Sequence, residues 1–165
     1  MGIDDSFGMA FAKSQLAANN ALPMEGTAFL SVQDKDKNAI ISVAARLLDH
    51  GFEIVTTEGT GKALAEHGLK CRTVLKHYEG EPNIIAPLKS GKIAMVINTH
   101  EGKLSAKDSY EIRRSALESG TPYFTTLAAA EAAVRGISEM RRSELQVKAI
   151  QDYFGGQNSI LSKAI

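Results

Sequence analysis

Phe52-Glu53-Ile54-Val55-Thr56-Thr57-Glu58-Gly59-Thr60-Gly61 runs an apolar strand into a turn of hydroxyls and glycines, and Lys62-Ala63-Leu64-Ala65-Glu66 then reads as helix. A strand that feeds straight into a helix brings the helix's first N–H groups, its partial positive charge and the threonine hydroxyls to the turn. Such a terminus attracts anions, phosphate above all. Taken alone, the stretch is equally well a strand–turn–helix connection with a threonine cap, so the flanking sequence has to decide.

The flanks repeat the same grammar. Thr27 to Val32 reads as a strand, and a helix follows, capped by Asp34 or Asp36, with Ile40, Val43, Ala44, Leu47 and Leu48 on one face and Gly51 as its stop. The helix after Gly61 ends at Gly68, and Lys70 to Leu75 is a third strand. A polar loop from Lys76 to Asn83 leads to a short helix around Ile84 to Lys89, then to the most apolar strand, Ile93 to Asn98. The loop Thr99 to Ala106 precedes a helix from Asp108 to Glu118. Tyr123-Phe124-Thr125 is a last short strand, and the alanine-rich stretch from Leu127 to Met140 is a long helix capped by Thr125 or Thr126. Connections of this length join parallel strands, and near-continuous apolar strands belong to a sheet covered on both faces. The expected fold is therefore α/β, three layers deep, around a five-stranded, mainly parallel sheet.

The ends differ from this middle. Residues 1–25 hold a short helix, capped at Asp5-Ser6 and carrying Phe7, Ala10, Phe11 and Leu16, before Asn19-Asn20 and Pro23 break it; this reads as an arm. The regular unit spans 26–142. The tail, 143–165, carries a capping-box sequence, Ser143-Glu144-Leu145-Gln146, that predicts one more helix before a frayed end.

Composition excludes several classes of function. The 165 residues are enough for one domain, and 19 basic residues cancel 19 acidic ones, which is not the charge of a nucleic-acid binder. The one cysteine, Cys71, permits no intrachain disulfide and fits a reducing compartment. No apolar run approaches the ~20 residues of a membrane span, and the acidic start Met1-Gly2-Ile3-Asp4-Asp5 is not a secretory leader. A cytoplasmic location is expected.

In an open parallel sheet the ligand binds beyond the carboxyl ends of the strands. At that edge the first strand leads to Lys37, the second to Thr57 and Thr60, the third to Lys76, and the fourth to Asn98 and Thr99, with His100 close by. Each has a plain role when taken singly: a solvated lysine, a loop charge, an amide that caps a loop. Together they suit one phosphate and a sugar, with lysine as point charge and threonine and asparagine as oriented donors. His50, His67, His77 and His100 lack metal-ligand spacing, and no nucleophile–base set can be assembled, so no catalytic residue and no metal site are assigned. The turn is neither a P-loop nor a dinucleotide fingerprint.

These residues also carry a resemblance. Phe29-Leu30-Ser31-Val32, Asp36-Lys37, Gly51-Phe52-Glu53 and Thr57-Glu58-Gly59-Thr60 resemble the methylglyoxal-synthase-like domain family. Val74 to Ile84, Val96-Ile97-Asn98-Thr99, Asp108 to Leu117 and Tyr123 to Leu127 narrow this to the C-terminal allosteric domain of the carbamoyl phosphate synthetase large subunit. Met1-Gly2-Ile3-Asp4 and Phe11-Ala12-Lys13-Ser14-Gln15 resemble the segment that leaves the preceding ATP-grasp unit. The resemblance implies a regulatory fragment, with no catalysis of its own, of an enzyme that makes carbamoyl phosphate for pyrimidine and arginine synthesis. It implies a nucleotide effector of the UMP or IMP type held by Lys37, Thr57, Thr60, Lys76, Asn98 and His100, the last where the family often has a hydroxyl residue. It implies partners too: the remaining large-subunit domains, which use ATP and a divalent metal, the small glutaminase subunit, and homo-oligomer contacts. Some members bind ornithine at positions matching Tyr123 and Thr125, with an acidic residue between them where this chain has Phe124.

Two rival readings stand beside this one. A methylglyoxal-synthase-type phosphate lyase shares the threonine–glycine turn but needs a carboxylate base in a Gly-Gly-Asp-Gln-Gln-like segment, where this chain has Tyr78-Glu79-Gly80-Glu81-Pro82. A structural oligomerisation module keeps the fold and discards the pocket. If the residues serve only a ligand, Lys37→Ala and Thr60→Val weaken binding and leave stability in its absence nearly unchanged.

Overall fold

Both faces of the first strand are apolar, and this sets the layering. In β1 (Thr27–Ser31), Ala28 and Leu30 face one side and Phe29 the other, all fully buried. The computed structural model describes residues 1–75, 80, 83–100 and 102–153, with 102–108 known by their backbone alone. β1 lies between β2 (Glu53–Thr56) and β4 (Met95–Asn98), and β3 (Arg72–Thr73) and β5 (Tyr123–Phe124) form the edges. The five strands are all parallel, in the order β3-β2-β1-β4-β5. In register, Phe29 stands between Val55 and Val96, and Leu30 between Thr56 and Ile97.

Helices α2 (Lys37–Asp49), α3 (Glu58–Glu66) and α6 (Leu127–Arg142) cover the Leu30 face with Ile40, Val43, Leu47, Leu64, Val134 and Ile137. Helices α4 (Ile85–Lys89) and α5 (Gly102–Glu118) cover the Phe29 face with Leu88, Ile112 and Ala116. The result is the expected three-layer α/β/α arrangement. Chain order runs outward from β1 in both directions, so the switch point lies at the carboxyl ends of β1 and β4.

The first helix, α1 (Phe7–Ala17), packs on the outer side of α6. Ser6 caps it by accepting from Met9 N–H at 3.2 Å. Of the apolar residues the sequence places on it, Phe11 packs partly buried against the core. Gly8, Met9 and Ala12 are buried, whereas Phe7 and Leu16 are 61% and 52% exposed. Close helix approach explains this: a Cβ on Gly8 would come within 2.9 Å of the Arg135 carbonyl oxygen, and one on Gly136 within 3.2 Å of the Gly8 oxygen. A small-residue seam admits the backbone but not a phenylalanine ring.

Four expectations need correction. The third strand is shorter than Lys70–Leu75. Its paired part is exposed, so no apolar face holds the rest, and Leu75 makes only an isolated bridge to Asn83. The helix expected from Asp108 begins at Gly102, inside the stretch read as a loop. Asp36 precedes α2 but its side chain does not cap it; the carboxylate is taken by Gln33 and Thr99. Ser143 closes α6 rather than opening a helix, and the tail is irregular up to a 3-10 turn at Ile150–Tyr153. No helix among the described residues is long and apolar enough to cross a membrane.

Candidate functional site

A polar cavity of about 330 Å³ opens at the carboxyl ends of β1, β2 and β4, within the size range of small-ligand pockets. Ser31, Val32 and Gln33 come from the end of β1, Thr57, Gly59 and Thr60 from the start of α3, and Asn98, Thr99 and His100 from the end of β4. Lys37 enters from α2, and Ser109 and Ile112 from α5. Lys37, Thr57, Thr60, Asn98 and His100, which come from three separate stretches of the sequence, thus line one space. Lys76 lies outside the described residues, as do Tyr78, Glu79 and Glu81 of the loop where a lyase would carry its base.

The start of α3 is built to stay open. Thr57 precedes the helix in extended conformation, but its hydroxyl does not cap it. The hydroxyl is directed instead at Ser31 Oγ (3.3 Å) and Thr60 Oγ1 (3.4 Å). The first-turn N–H groups are therefore not consumed by a cap. Thr60 Oγ1 accepts from Val32 N–H at 3.0 Å, which ties α3 to the end of β1. Gly61 lets the helix sit down on the sheet, because a Cβ there would meet Thr56 Oγ1 at 2.7 Å.

Charge arrives from one side. Lys37 Nζ stands beside the first turn of α3, where a Cβ on Gly59 would approach it to 3.2 Å. Its ion pair is with Asp34 Oδ1 at 2.7 Å, and Asp34 is 94% exposed, so the pair is loosely held and easily exchanged for a bound anion. Glu58, also in the first turn, points outward and pairs with Lys62 at 2.8 Å. An open helix N-terminus beside an ammonium group makes a phosphate-sized anion site.

The opposite wall is neutral. Buried Asn98 donates through Nδ2 to Ser109 Oγ (3.2 Å) and to the Tyr123 hydroxyl oxygen (2.7 Å). Burial pushes the Tyr123 phenol up from its ordinary pKa, against the Asn98 hydrogen bond and the Arg113 guanidinium, which lies 5.5 Å over the ring. Tyr123 thus backs Asn98, whereas Thr125 is exposed and Phe124 is buried in the core between β4 and α6. Among the described residues no group of at least three His, Cys, Asp or Glu side chains is placed to hold a metal.

Sequence reasoning did not single out Gln33 or Ser109. Gln33 carries the same signal as Lys37, a polar residue just past a strand end. Ser109 shares a helix face with Ile112 and Ala116, at spacings of three and four, so the helical period marks it as inward-facing.

Much of the chain is similar to known proteins. The MGS-like domain family model matches residues 39–125. A protein from Methanopyrus kandleri named "Carbamoyl phosphate synthase large chain, C-terminal section" is 45% identical over 157 residues, covering 94% of this chain and 29% of that protein. The carbamoyl phosphate synthase large chain of Myxococcus xanthus is 44% identical over 155 residues, 94% of this chain and 14% of its own length. This chain therefore spans less than a third of the relatives it matches. The crystal structure of methylglyoxal synthase from Elizabethkingia anophelis NUHP1 shares the fold, with a TM-score of 0.54 at 19% identity, covering 68% of this chain and 79% of that one. By this match the chain belongs to the MGS-like domain family.

Proposed function

We propose that this chain is the nucleotide-binding regulatory domain of a carbamoyl phosphate synthetase large subunit, and that the cavity at the carboxyl ends of β1, β2 and β4 holds a phosphorylated effector of the UMP or IMP type. The observation that carries this reading is the meeting of Lys37 with the uncapped start of α3 in one cavity that Asn98 and Thr99 close from the other side. A phosphate dianion surrenders a strong hydration shell only for equally good donors. First-turn N–H groups, the threonine hydroxyls and an ammonium group are such donors. Asn98, Ser109 and His100 then face the sugar and base, and Lys76 joins the phosphate side by the family resemblance.

In this reading the chemistry of carbamoyl phosphate formation, with its ATP and divalent metal, belongs to other domains of the large subunit, and glutamine hydrolysis to a small subunit. Binding here acts on them by favouring one conformation of the whole, so its sign follows from which conformation the effector prefers. Second-effector binding at Tyr123 and Thr125 lacks a comparable convergence of groups, and we do not extend the proposal to it.

Calorimetry of the chain with UMP, IMP, uridine and inosine tests the reading. The monophosphates are expected to bind far more tightly than the nucleosides. Equal affinity for uridine and UMP would remove the phosphate site and leave a structural module. Turnover of dihydroxyacetone phosphate, lost in Glu79→Gln or Glu81→Gln, would replace regulation with lyase chemistry.

A further inference from the structure

Lys37 stands in a stretch that apolar packing does not hold. From Gln33 to Ala39 no residue is buried, and the core resumes at Ile40. Residues 33–37 form one compact turn, in which Asp36 N–H donates to the Gln33 carbonyl (3.0 Å) and Lys37 N–H to the Asp34 carbonyl. These bonds shape the turn without attaching it to the sheet. Thr99, just past the end of β4, supplies an attachment. Gln33 N–H donates to Thr99 Oγ1 (3.2 Å), the Thr99 hydroxyl donates to Asp36 Oδ2 (2.7 Å), and Gln33 Nε2 donates to the same carboxylate oxygen (2.7 Å). A hydroxyl has one proton to give, and a carboxylate only accepts. Thr99 lines the cavity, but its proton is spent on Asp36. Asp36 itself does not line the cavity; its neighbour Lys37 does, with Nζ beside Gly59 in the first turn of α3.

We propose that Asp36 is a positioning residue for the effector: tied to Thr99 across the switch point, it holds the turn that carries Lys37, so that the ammonium meets the phosphate at the start of α3. This rests on the phosphate reading of the cavity and deepens it by naming a residue outside the cavity on which Lys37 depends. The sign of the effect separates positioning from charge. A carboxylate repels a phosphate, so loss of its charge alone would tighten binding. Loss of its hold on Lys37 weakens binding instead, and only while Lys37 is present. Both bonds to Asp36 converge on one oxygen, Oδ2. An amide oxygen has two lone pairs, so asparagine keeps both bonds while removing the charge.

Calorimetry with UMP is run on the parent chain, Asp36→Ala, Asp36→Asn, Lys37→Ala and the double variant Asp36→Ala with Lys37→Ala. Asp36→Ala is expected to weaken binding about five- to tenfold, a part of the Lys37→Ala loss. Asp36→Asn is expected to bind at least as tightly as the parent. In the Lys37→Ala background, Asp36→Ala is expected to change affinity by less than about twofold. Thr99→Val cuts the same tie from the β4 side and reads the proposal independently of whether Asp36→Ala folds. It is expected to lose about five- to tenfold with Lys37 present and less than about twofold without it. Parent affinity in both Asp36→Ala and Thr99→Val, a loss that persists undiminished in the Lys37→Ala background, or Asp36→Asn as weak as Asp36→Ala would overturn the proposal. A parent chain that does not bind UMP removes the phosphate reading itself, and this inference with it.

Discussion

The seam between α1 and α6 and the cavity at the carboxyl ends of the strands are assembled by opposite means. At the seam, Gly8, Ala12 and Gly136 remove side chains so that two helices touch, and no polar group is needed. Gly136 sits inside a helix, where glycine costs about 1 kcal/mol relative to alanine, and the approach of α1 offsets that cost. At the cavity, Thr57, Thr60, Asn98 and Asp36 tie helices and strand ends together around a space, through hydrogen bonds with Ser31, the Val32 N–H, Ser109 and Thr99. The seam turns shape into stability. The cavity holds polar groups in fixed directions while leaving an ammonium and a helix terminus facing open space. A change at the seam should therefore move the melting temperature, and a change at the cavity should move affinity.

Gly8→Leu tests the seam most severely. The new side chain meets the backbone of Arg135, which cannot step aside without separating the helices. Overpacking of this kind is expected to cost about 2–3 kcal/mol, a fall of roughly 6–10 °C in Tm. UMP affinity measured below the transition should stay within about twofold of the parent. A large loss of affinity would show that the two regions are coupled.

Lys37→Ala is the counterpart at the cavity. Removing the ammonium beside the start of α3 is expected to weaken UMP binding by about 1.5–3 kcal/mol, roughly ten- to a hundredfold by calorimetry. Its partner Asp34 is almost fully exposed, so Tm without ligand should stay within about 1 °C. Wild-type affinity would mean that the lysine only solvates the start of α2.

Thr60→Val blurs the division, and here the structure changes the expectation drawn from sequence. Thr60 Oγ1 is the acceptor for buried Val32 N–H, so valine strands that donor. A stability loss of about 1–2 kcal/mol is expected alongside weaker binding, read from urea unfolding without ligand. Unchanged unfolding would show that the Val32 N–H finds another acceptor.

The smallest effect is a pH dependence near the seam. Lys13 ties the start of the chain to the tail through Asp4 (2.7 Å), the Ile3 carbonyl (3.2 Å) and the Tyr153 hydroxyl (3.1 Å). Its hydrogen bond holds the Asp4 carboxyl below the usual aspartate range, despite an opposing contribution from burial. A lowered folded pKa gives stability that is present above the unfolded value of about 3.9 and lost as pH falls through the folded one. Lys13→Met should therefore be slightly less stable than the parent at pH 7, and the gap should close below about pH 4. A gap that does not narrow at all as the pH falls below about 4 would assign the effect to the lysine stem and its Tyr153 contact.

Legibility from sequence followed the range of the forces involved. The strand cores and the face of α2 were readable because period and apolarity are local, as in Ile40, Val43, Ala44 and Leu47. Lys37, Thr57, Thr60 and Asn98 were readable as a group because parallel strands bring their carboxyl ends to one edge. The start of α5 at Gly102 was not, since intrinsic propensity is weak and Ile112 and Ala116 anchor that helix on the sheet.

What the sequence by itself determined was the alternation of strands and helices, the parallel sheet and the polar character of one edge, because each follows from residues close together in the chain. Only the tertiary structure decided how those groups are spent. Asp36 has the spacing of a helix cap, yet Thr99, 63 residues away, and Gln33 claim its carboxylate. Phe7 is one of the large apolar residues on its helix, yet the backbone of α6 comes so close that Gly8 and Ala12 take the buried side. A hydrogen-bonding group or an apolar face meets its strongest available partner, and when that partner lies far along the chain, only the fold makes the choice.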